Sequence, residues 1–191
     1  MALAVGTLAP DFTVNDQQGN PFTLSSLKGK KVVMYFYPRD MTPGCTAEAC
    51  SLRDNYAALQ KAGYEILGVS SDDEKSHRKF IEKEKLPFRL LADVDKSVHA
   101  KYGTWVEKSM YGRKYMGTAR VTYVIDENRI IREVIEQVDT RNHANQILGT
   151  QPAAATKPKA AKSAVKKKTP AKKAPKKKAA KVTRKVVKKK K

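Results

Sequence analysis

The sequence has little cysteine: its 191 residues include only two, Cys45 and Cys50. Two cysteines cannot form the disulfide framework that stabilises small secreted domains. The chain also lacks an apolar run long enough to span a membrane, and residues 1–9 lack the basic start and long apolar core of a secretory signal. We therefore expect no transmembrane segment and a reducing, cytoplasmic compartment, in which a pair of thiols is available for catalysis.

Acidic residues are missing from the C-terminal part of the chain. Residues 151–191 contain no Asp or Glu, no aromatic residue and no Leu, Ile or Met, but they contain 18 of the 39 Lys and Arg residues. Residues 1–150 contain the other 21 together with all 19 acidic residues, so their net charge is only +2. A segment with so few apolar side chains cannot bury enough surface to offset the entropy of ordering. We therefore predict one folded domain at 1–150 and a disordered basic tail at 151–191.

Histidine is also scarce. His77, His99 and His143 are scattered along the chain and do not combine with the two cysteines into the ligand spacing of a zinc site. We therefore predict no metal and no cofactor. We expect His143 to be a surface or helix-cap residue.

The remaining pattern predicts alternating strands and helices. In chain order, we expect strands at 11–14 and 31–37, a helix at 46–61, a strand at 64–70, a helix at 73–85, a strand at 88–91, a short helix ending near 103, an irregular loop at 105–117, a hairpin of strands at 119–125 and 129–138, and a helix at 142–148. Alternating units of this kind indicate an α/β fold in which helices cover both faces of a central mixed sheet.

Cys45 lies where the first core strand has ended and a helix begins. Pro38, Pro43 and Gly44 form the turn between these two elements. A thiol at a helix N-terminus faces unpaired backbone N–H groups and the positive end of the helix dipole, and both favour the thiolate. We therefore expect Cys45 to be a nucleophile. A cysteine at the start of the helix after the first core strand is the thioredoxin-like arrangement.

The residues around Cys45 resemble the active-site pattern of the peroxiredoxin family, Pro38-x-x-x-Thr42-x-x-Cys45. The segment Thr42-Pro43-Gly44-Cys45-Thr46-x-Glu48-Ala49-Cys50 is similar to one subgroup, bacterioferritin comigratory protein or peroxiredoxin Q. The similarity covers residues 1–149 and continues through Leu52-Arg53-Asp54, Gly68-Val69-Ser70, Trp105-x-Glu107-Lys108, Arg120-x-Thr122-Tyr123-x-Ile125-Asp126 and Asn142-His143-Ala144.

The resemblance implies a thiol-dependent peroxidase that reduces hydrogen peroxide and organic hydroperoxides. Cys45 would be the peroxidatic cysteine, whose thiolate attacks the O–O bond and becomes a sulfenic acid. Cys50 would be the resolving cysteine, which forms an intramolecular disulfide with Cys45. The resemblance also implies thioredoxin or a glutaredoxin-like protein as the reductant, and we expect a monomer.

The resemblance assigns roles to four further residues. Thr42 would hydrogen-bond the thiolate and the peroxide, and Arg120 would stabilise the negative charge of both. Gly44 would complete the peroxide-binding site, and Pro38 would shield it from water. A general physical argument also favours such groups, because hydrogen-bond donors aimed at developing negative charge usually make the largest catalytic contribution.

The spacing of the two cysteines has a mechanical consequence. Five residues of α-helix rise about 7.5 Å and turn through about 500°, which leaves the two Cα atoms roughly 8–9 Å apart on different faces. A disulfide needs Cα atoms within about 7 Å of each other. We therefore expect the first turns of the helix to unwind in each cycle, with helical structure lost between Cys45 and Asp54.

Three other functions compete with the peroxidase for the folded domain. A thioredoxin-like disulfide reductase would carry a Cys-x-x-Cys motif, which is absent. A non-enzymatic nucleoid protein that keeps a relict fold would not need the intact set of active-site residues around Cys45. A redox sensor would use the same disulfide as a signal to a partner. Glu48 has two interpretations that the sequence does not separate: it either orients the site or simply favours the helix N-terminus.

The basic tail has the Lys, Ala and Pro composition of linker-histone C-terminal tails, which it resembles. Eighteen cations in 41 residues predict binding to a polyanion, with DNA or RNA favoured and an anionic membrane surface as the rival. The alternative is a solubilising or proteolytically trimmed extension. Nucleic-acid binding would associate the protein with the nucleoid.

Overall fold

A computed structural model describes residues 2–110 and 112–149 of the chain. The tail predicted at 151–191 lies outside these residues, so its predicted disorder and the boundary at residue 150 stay predictions. The elements in chain order are β1 Thr13–Asp16, β2 Pro21–Thr23, a 3-10 helix Leu24–Leu27, β3 Lys31–Phe36, α1 Pro43–Asp54, α2 Tyr56–Lys61, β4 Tyr64–Ser70, α3 Glu74–Glu84, β5 Arg89–Ala92, α4 Ser97–Lys101, β6 Trp105–Met110, β7 Arg113–Thr118, β8 Val121–Ile125, β9 Ile131–Ile135 and α5 His143–Gly149.

The main sheet of the described residues has seven strands in the order β2-β1-β5-β4-β3-β8-β9. β3 lies in its interior and pairs in parallel with β4 and antiparallel with β8. β4 pairs in parallel with β5, and β8 pairs antiparallel with β9. The sheet is therefore mixed, as predicted. The register of the β3–β8 pair places Val121, the first residue of β8, opposite Phe36, the last residue of β3. The residue before β8, Arg120, therefore lies beside the end of β3.

Both faces of β3 are buried, because its successive side chains point to opposite sides of the sheet. Val33 and Tyr35 belong to one hydrophobic cluster, which also takes side chains from α1, α2, α3 and α5. Val32, Met34 and Phe36 belong to the other cluster, which takes Val98 of α4. Burying a side chain of this size contributes about 1.5–3 kcal/mol. The expectation of helices on both faces is confirmed.

The helix predicted from Thr46 to Lys61 is wrong in its extent. α1 begins at Pro43, because the fixed φ of proline and its missing N–H suit the first helical position. It ends at Asp54, because the next residue, Asn55, has a φ of −108° and a ψ of 14°, which depart from helical values. The Asn55 side-chain amide donates to the Ser51 carbonyl at 2.9 Å, which satisfies one of the free carbonyls at the end of the helix.

The irregular loop predicted at 105–117 is also wrong. β6 and β7 form a separate antiparallel pair with Trp105 opposite Thr118. The sequence of this pair shows no apolar alternation because much of it faces solvent, with Lys114, Tyr115 and Met116 all exposed. A strand whose two faces are both polar carries no period-two signal.

Candidate active site

Cys45 is the third residue of α1 and is only 1% exposed. The preceding loop leaves the sheet after Tyr37, and Thr42 forms the N-cap of the helix in an extended conformation. The Cys45 sulfur therefore lies in the first helical turn, where backbone N–H groups have no helical partner. The strand-to-helix placement predicted for Cys45 is found in the structure.

Arg120 reaches the Cys45 sulfur from a distant part of the chain. It precedes β8, and the pairing of β8 with β3 brings it to the end of the sheet where α1 starts. Its Nη2 donates to Cys45 Sγ at 3.3 Å, and its Nη1 donates to Glu48 Oε2. Burial alone would lower the pKa of Arg120, but Glu48 and the cysteine sulfur raise it. The guanidinium is thus a permanent positive charge shared by two acceptors.

Glu48 is a fully buried carboxyl group one helical turn after Cys45. Burial raises its pKa to about 7, although the Arg120 guanidinium acts in the opposite direction. One oxygen, Oε2, accepts from Arg120. The other, Oε1, has no hydrogen-bond partner among the described residues, and His143 Nε2 lies 3.8 Å from it. Glu48 therefore contacts the site through Arg120, which favours the orienting role over a simple helix preference.

His143 is a buried neighbour of Glu48, so the expectation of a surface or cap position is wrong. It is the first residue of α5 and is 0% exposed. Its Nδ1 lies 3.2 Å from Gln146 Oε1, and its Nε2 lies 2.9 Å from Thr122 Oγ1. Burial lowers the pKa of His143 to about 4. The imidazole is therefore neutral near pH 7, and these partners are consistent with Nδ1 as the donor and Nε2 as the acceptor.

Thr42, Gly44 and Pro38 lie in the turn that leads into α1. The Thr42 hydroxyl donates to the Arg39 carbonyl at 3.0 Å, so its predicted bond to the Cys45 thiolate stays a prediction. Gly44 lies close to the guanidinium, since a Cβ at this position would be 3.4 Å from Arg120 Nη2. Pro38 is partly exposed in the loop after β3.

Asp40 anchors the same loop, a role that sequence reasoning missed. Its buried carboxylate accepts from the Tyr37 hydroxyl at 2.7 Å and lies 2.9 Å from Nδ1 of the fully buried His77. Its backbone N–H donates to Asp72 Oδ2 at 2.8 Å. These contacts hold the loop against the end of β4 and the start of α3. A loop sequence of this kind gives no signal for such an anchor, because the partners come from elsewhere in the fold.

Cys50 lies further along α1 and is partly exposed. Both cysteines are free thiols, and both belong to one continuous helix. The Cys50 thiol contacts Glu84 Oε2, with 3.7 Å between the sulfur and the oxygen. Because Cys45 and Cys50 lie in one wound helix, the expectation from the sequence applies here: their Cα atoms are too far apart for a disulfide unless the helix unwinds.

No three or more His, Cys, Asp or Glu side chains within residues 2–110 and 112–149 are arranged to hold a metal ion. In the same part of the chain, no helix is both long and apolar enough to cross a membrane.

Comparison with known proteins places the chain in a family. The sequence profile of the AhpC/TSA family matches residues 5–134. This chain belongs to the AhpC/TSA family. A bcp peroxiredoxin of Coxiella burnetii is 46% identical over 149 residues, which are 78% of this chain and 99% of the relative. Peroxiredoxin Bcp of Escherichia coli K12 is 43% identical over 146 residues, which are 76% and 94% of the two chains.

Solved structures of the family agree with the fold. The crystal structure of peroxidoxin BcpB from Mycobacterium tuberculosis superposes with a TM-score of 0.69 at 35% identity, covering 78% of this chain and 96% of that one. The thioredoxin-like fold and the Bcp and peroxiredoxin Q subgroup predicted from the sequence are confirmed. The predicted enzyme class, a peroxiredoxin peroxidase, is confirmed as well.

Proposed function

We propose that the chain reduces hydrogen peroxide and organic hydroperoxides at Cys45. The thiolate attacks the terminal oxygen of the peroxide, an S–O bond forms, the O–O bond breaks, and the departing oxygen takes a proton to leave as water or an alcohol. Cys45 becomes a sulfenic acid. The observation that carries this proposal is the contact of the Arg120 guanidinium with the Cys45 sulfur.

Arg120 supplies the charge that this reaction needs. A fixed cation beside the sulfur stabilises the thiolate before the reaction and the developing negative charge on the peroxide oxygens during it. The first-turn N–H groups of α1 add to this positive potential. Gly44 leaves room for a peroxide beside the guanidinium, Thr42 offers a hydroxyl at the N-cap, and Pro38 limits access of water. These three roles belong to the proposal.

Cys50 completes the proposed cycle. It attacks the sulfenic acid to give a Cys45–Cys50 disulfide and water, after the first turns of α1 have unwound. A dithiol donor, thioredoxin or a glutaredoxin-like protein, then reduces the disulfide by thiol exchange. Since a thiol of the same chain resolves the sulfenic acid, the chain needs no second copy for this step, which agrees with a monomer.

Single-turnover kinetics of two serine variants test the order of the steps. Cys45→Ser should abolish peroxide consumption, because a hydroxyl of high pKa does not replace a thiolate. Cys50→Ser should consume one equivalent of peroxide but should not be recycled by a dithiol donor. If Cys50→Ser were the variant that failed to react with peroxide, the assignment of the two cysteines would be reversed.

We also propose that residues 151–191 bind nucleic acid without sequence preference. Their 18 cations and absence of acidic residues suit a polyphosphate backbone. Lysine ammonium groups are point charges on flexible stems, which contact phosphates but do not read base edges. Bound to DNA, the enzyme would remove peroxide where peroxide damages the genome. Truncation after Gly149 should abolish DNA binding and leave peroxidase activity in place.

A further inference from the structure

The thiol of Cys50 contacts an acidic side chain. Its sulfur lies 3.7 Å from Oε2 of Glu84, the last residue of α3. The Glu84 side chain is only 17% exposed. The two residues are 34 positions apart in the chain, so their contact comes from the packing of α3 against α1 and not from local geometry.

Other contacts hold Glu84 and this part of α1 together. Arg53 Nη1 donates to the main-chain oxygen of Glu84 at 2.6 Å. Lys83 Nζ lies 3.9 Å from the other carboxylate oxygen of Glu84, Oε1. On the opposite side of the helix, the Ala144 N–H donates to the Ser51 hydroxyl at 3.3 Å. The second half of α1 is thus attached to α3 and α5, with Glu84 Oε2 directed at the Cys50 sulfur.

The reaction proposed above requires Cys50 to lose its proton. Burial raises the pKa of Cys50, Glu84 and Asp54 raise it further, and Arg53 acts in the opposite direction. Near pH 7 the group is therefore a thiol, and a thiol is a poor nucleophile compared with its thiolate. Efficient attack on the sulfenic acid then needs a base within reach of the sulfur.

We propose that Glu84 is the general base of the resolving step, an inference that rests on the function proposed above. The Glu84 carboxylate takes the proton as the Cys50 S–H bond breaks and the S–S bond to Cys45 forms. The S–O bond of the sulfenic acid breaks at the same time, and its hydroxide takes up a proton and leaves as water. The Cys50 sulfur is oxidised and the Cys45 sulfur is reduced, so the step needs no further oxidant.

The attachments of α1 also indicate which part of the helix moves. Arg53 and Ser51 tie the residues around Cys50 to their neighbours, whereas Cys45 lies in the first turn. Unwinding of that turn brings the sulfenic acid towards Cys50 while Cys50 stays against Glu84. The base then remains in contact with the thiol at the moment of attack.

The test uses the full chain with Glu84→Gln, which keeps the size of the side chain and removes the base. Glu82→Gln is the matched control, because Glu82 is an exposed residue on the same helix. Hydrogen peroxide is added to each reduced protein, and quenched samples are treated with dimedone and weighed by mass spectrometry to follow the sulfenic acid and the disulfide. Formation of the sulfenic acid should be unchanged in both variants. Its conversion to disulfide should slow at least about tenfold at pH 7 in Glu84→Gln alone.

The pH profile separates a base from a merely structural contact. In Glu84→Gln the rate of disulfide formation should rise by about tenfold per pH unit between pH 6 and 8, because it follows the thiolate fraction of Cys50. In the unsubstituted chain it should change far less, and Glu84→Asp should restore part of the rate. A resolving rate in Glu84→Gln equal to or faster than that of the unsubstituted chain would overturn the proposal and leave Glu84 as a tie between helices. If peroxide produced no sulfenic acid in any of these proteins, the proposed peroxidase function itself would fail.

Discussion

At the scale of single residues, one guanidinium connects the Cys45 thiol to a buried acid. Arg120 contacts both the Cys45 sulfur and the Glu48 carboxylate. Its charge is held in place before the reaction begins, so no side chain has to reorganise as negative charge develops. Preorganised charge of this kind contributes more than the same charge placed in water.

Arg120→Met should therefore slow the oxidation of Cys45. The substitution keeps an apolar stem and removes the charge, so the expected loss is about 10²-fold or more in the second-order rate with hydrogen peroxide. The decay of the free Cys45 thiol under excess peroxide measures it. Arg113→Met is the control, since Arg113 is exposed on β7. Equal rates in a folded Arg120→Met protein would remove Arg120 from the site.

Glu48 makes the stability of the protein depend on pH. Its pKa rises from an ordinary 4.5 to about 7 in the folded state, so the folded chain holds the proton more tightly than the unfolded chain. The free energy of unfolding should therefore fall by up to about 3 kcal/mol through Glu48 as the pH rises from about 4.5 through 7. The amide of Glu48→Gln does not titrate in this range, so this variant does not show the fall. The free energy of unfolding of Glu48→Gln, relative to that of the unsubstituted protein, should therefore increase over the same pH range.

Urea unfolding of both proteins at pH 5 and pH 8 measures this difference. His143, whose lowered pKa of about 4 makes stability rise with pH below about 6.5, is present in both proteins, so its own contribution largely cancels in the comparison. The attraction between Arg120 and ionised Glu48 is already part of the Glu48 pKa, so only the difference between a neutral carboxyl group and an amide adds an offset that does not depend on pH. A difference in unfolding free energy that is the same at both pH values would contradict the raised pKa of Glu48.

At the scale of elements, α1 must change between two states. Cys45 and Cys50 share one wound helix in the reduced protein, and a wound helix holds their Cα atoms too far apart for a disulfide. Amides of the first turns of α1 should therefore lose hydrogen-exchange protection in the disulfide form. The central strand β4 should keep the same protection in both forms. Equal protection of α1 in both forms, with the disulfide confirmed by mass, would rule out the unwinding.

The elements also show where a sequence pattern succeeds. Strands β3 and β4 were predicted because their long apolar runs reflect burial on both faces of a sheet. The hairpin of β6 and β7 was missed because its exposed residues have no such pattern. The break at Asn55 was missed because helical spacing continues on both sides of it, whereas the end of α1 is marked by the backbone angles of Asn55 and by its side-chain bond to Ser51.

At the scale of the whole molecule, charge divides the chain into two parts. The folded part is close to neutral, and the tail carries a net charge of +18. Binding of the full chain to duplex DNA should weaken steeply with salt, with a log–log slope of about −0.9 for each phosphate engaged. A gel-shift series at several salt concentrations measures the slope.

The control is the chain truncated after Gly149, whose charge balance gives it no comparable attraction to phosphates. It should bind no DNA at any salt concentration in the series and should reduce hydrogen peroxide at the rate of the full chain. Binding by the truncated chain as strong as that of the full chain, or no binding by the full chain at low salt, would show that the tail is not a nucleic-acid anchor.

The sequence by itself determined the class of chemistry and the layout of the chain. The motif around Cys45, the buried strands and the basic tail are local patterns, readable from neighbouring residues and their spacing. Only the tertiary structure decided which distant residues meet. Arg120 reaches Cys45 across 75 positions because β8 pairs with β3, and Glu84 reaches Cys50 across 34 because α3 packs against α1. Local patterns do not specify strand register or helix packing. The resemblance named Arg120 as a site residue, but its contact with Glu48 and the contact of Glu84 with Cys50 become visible only in the fold.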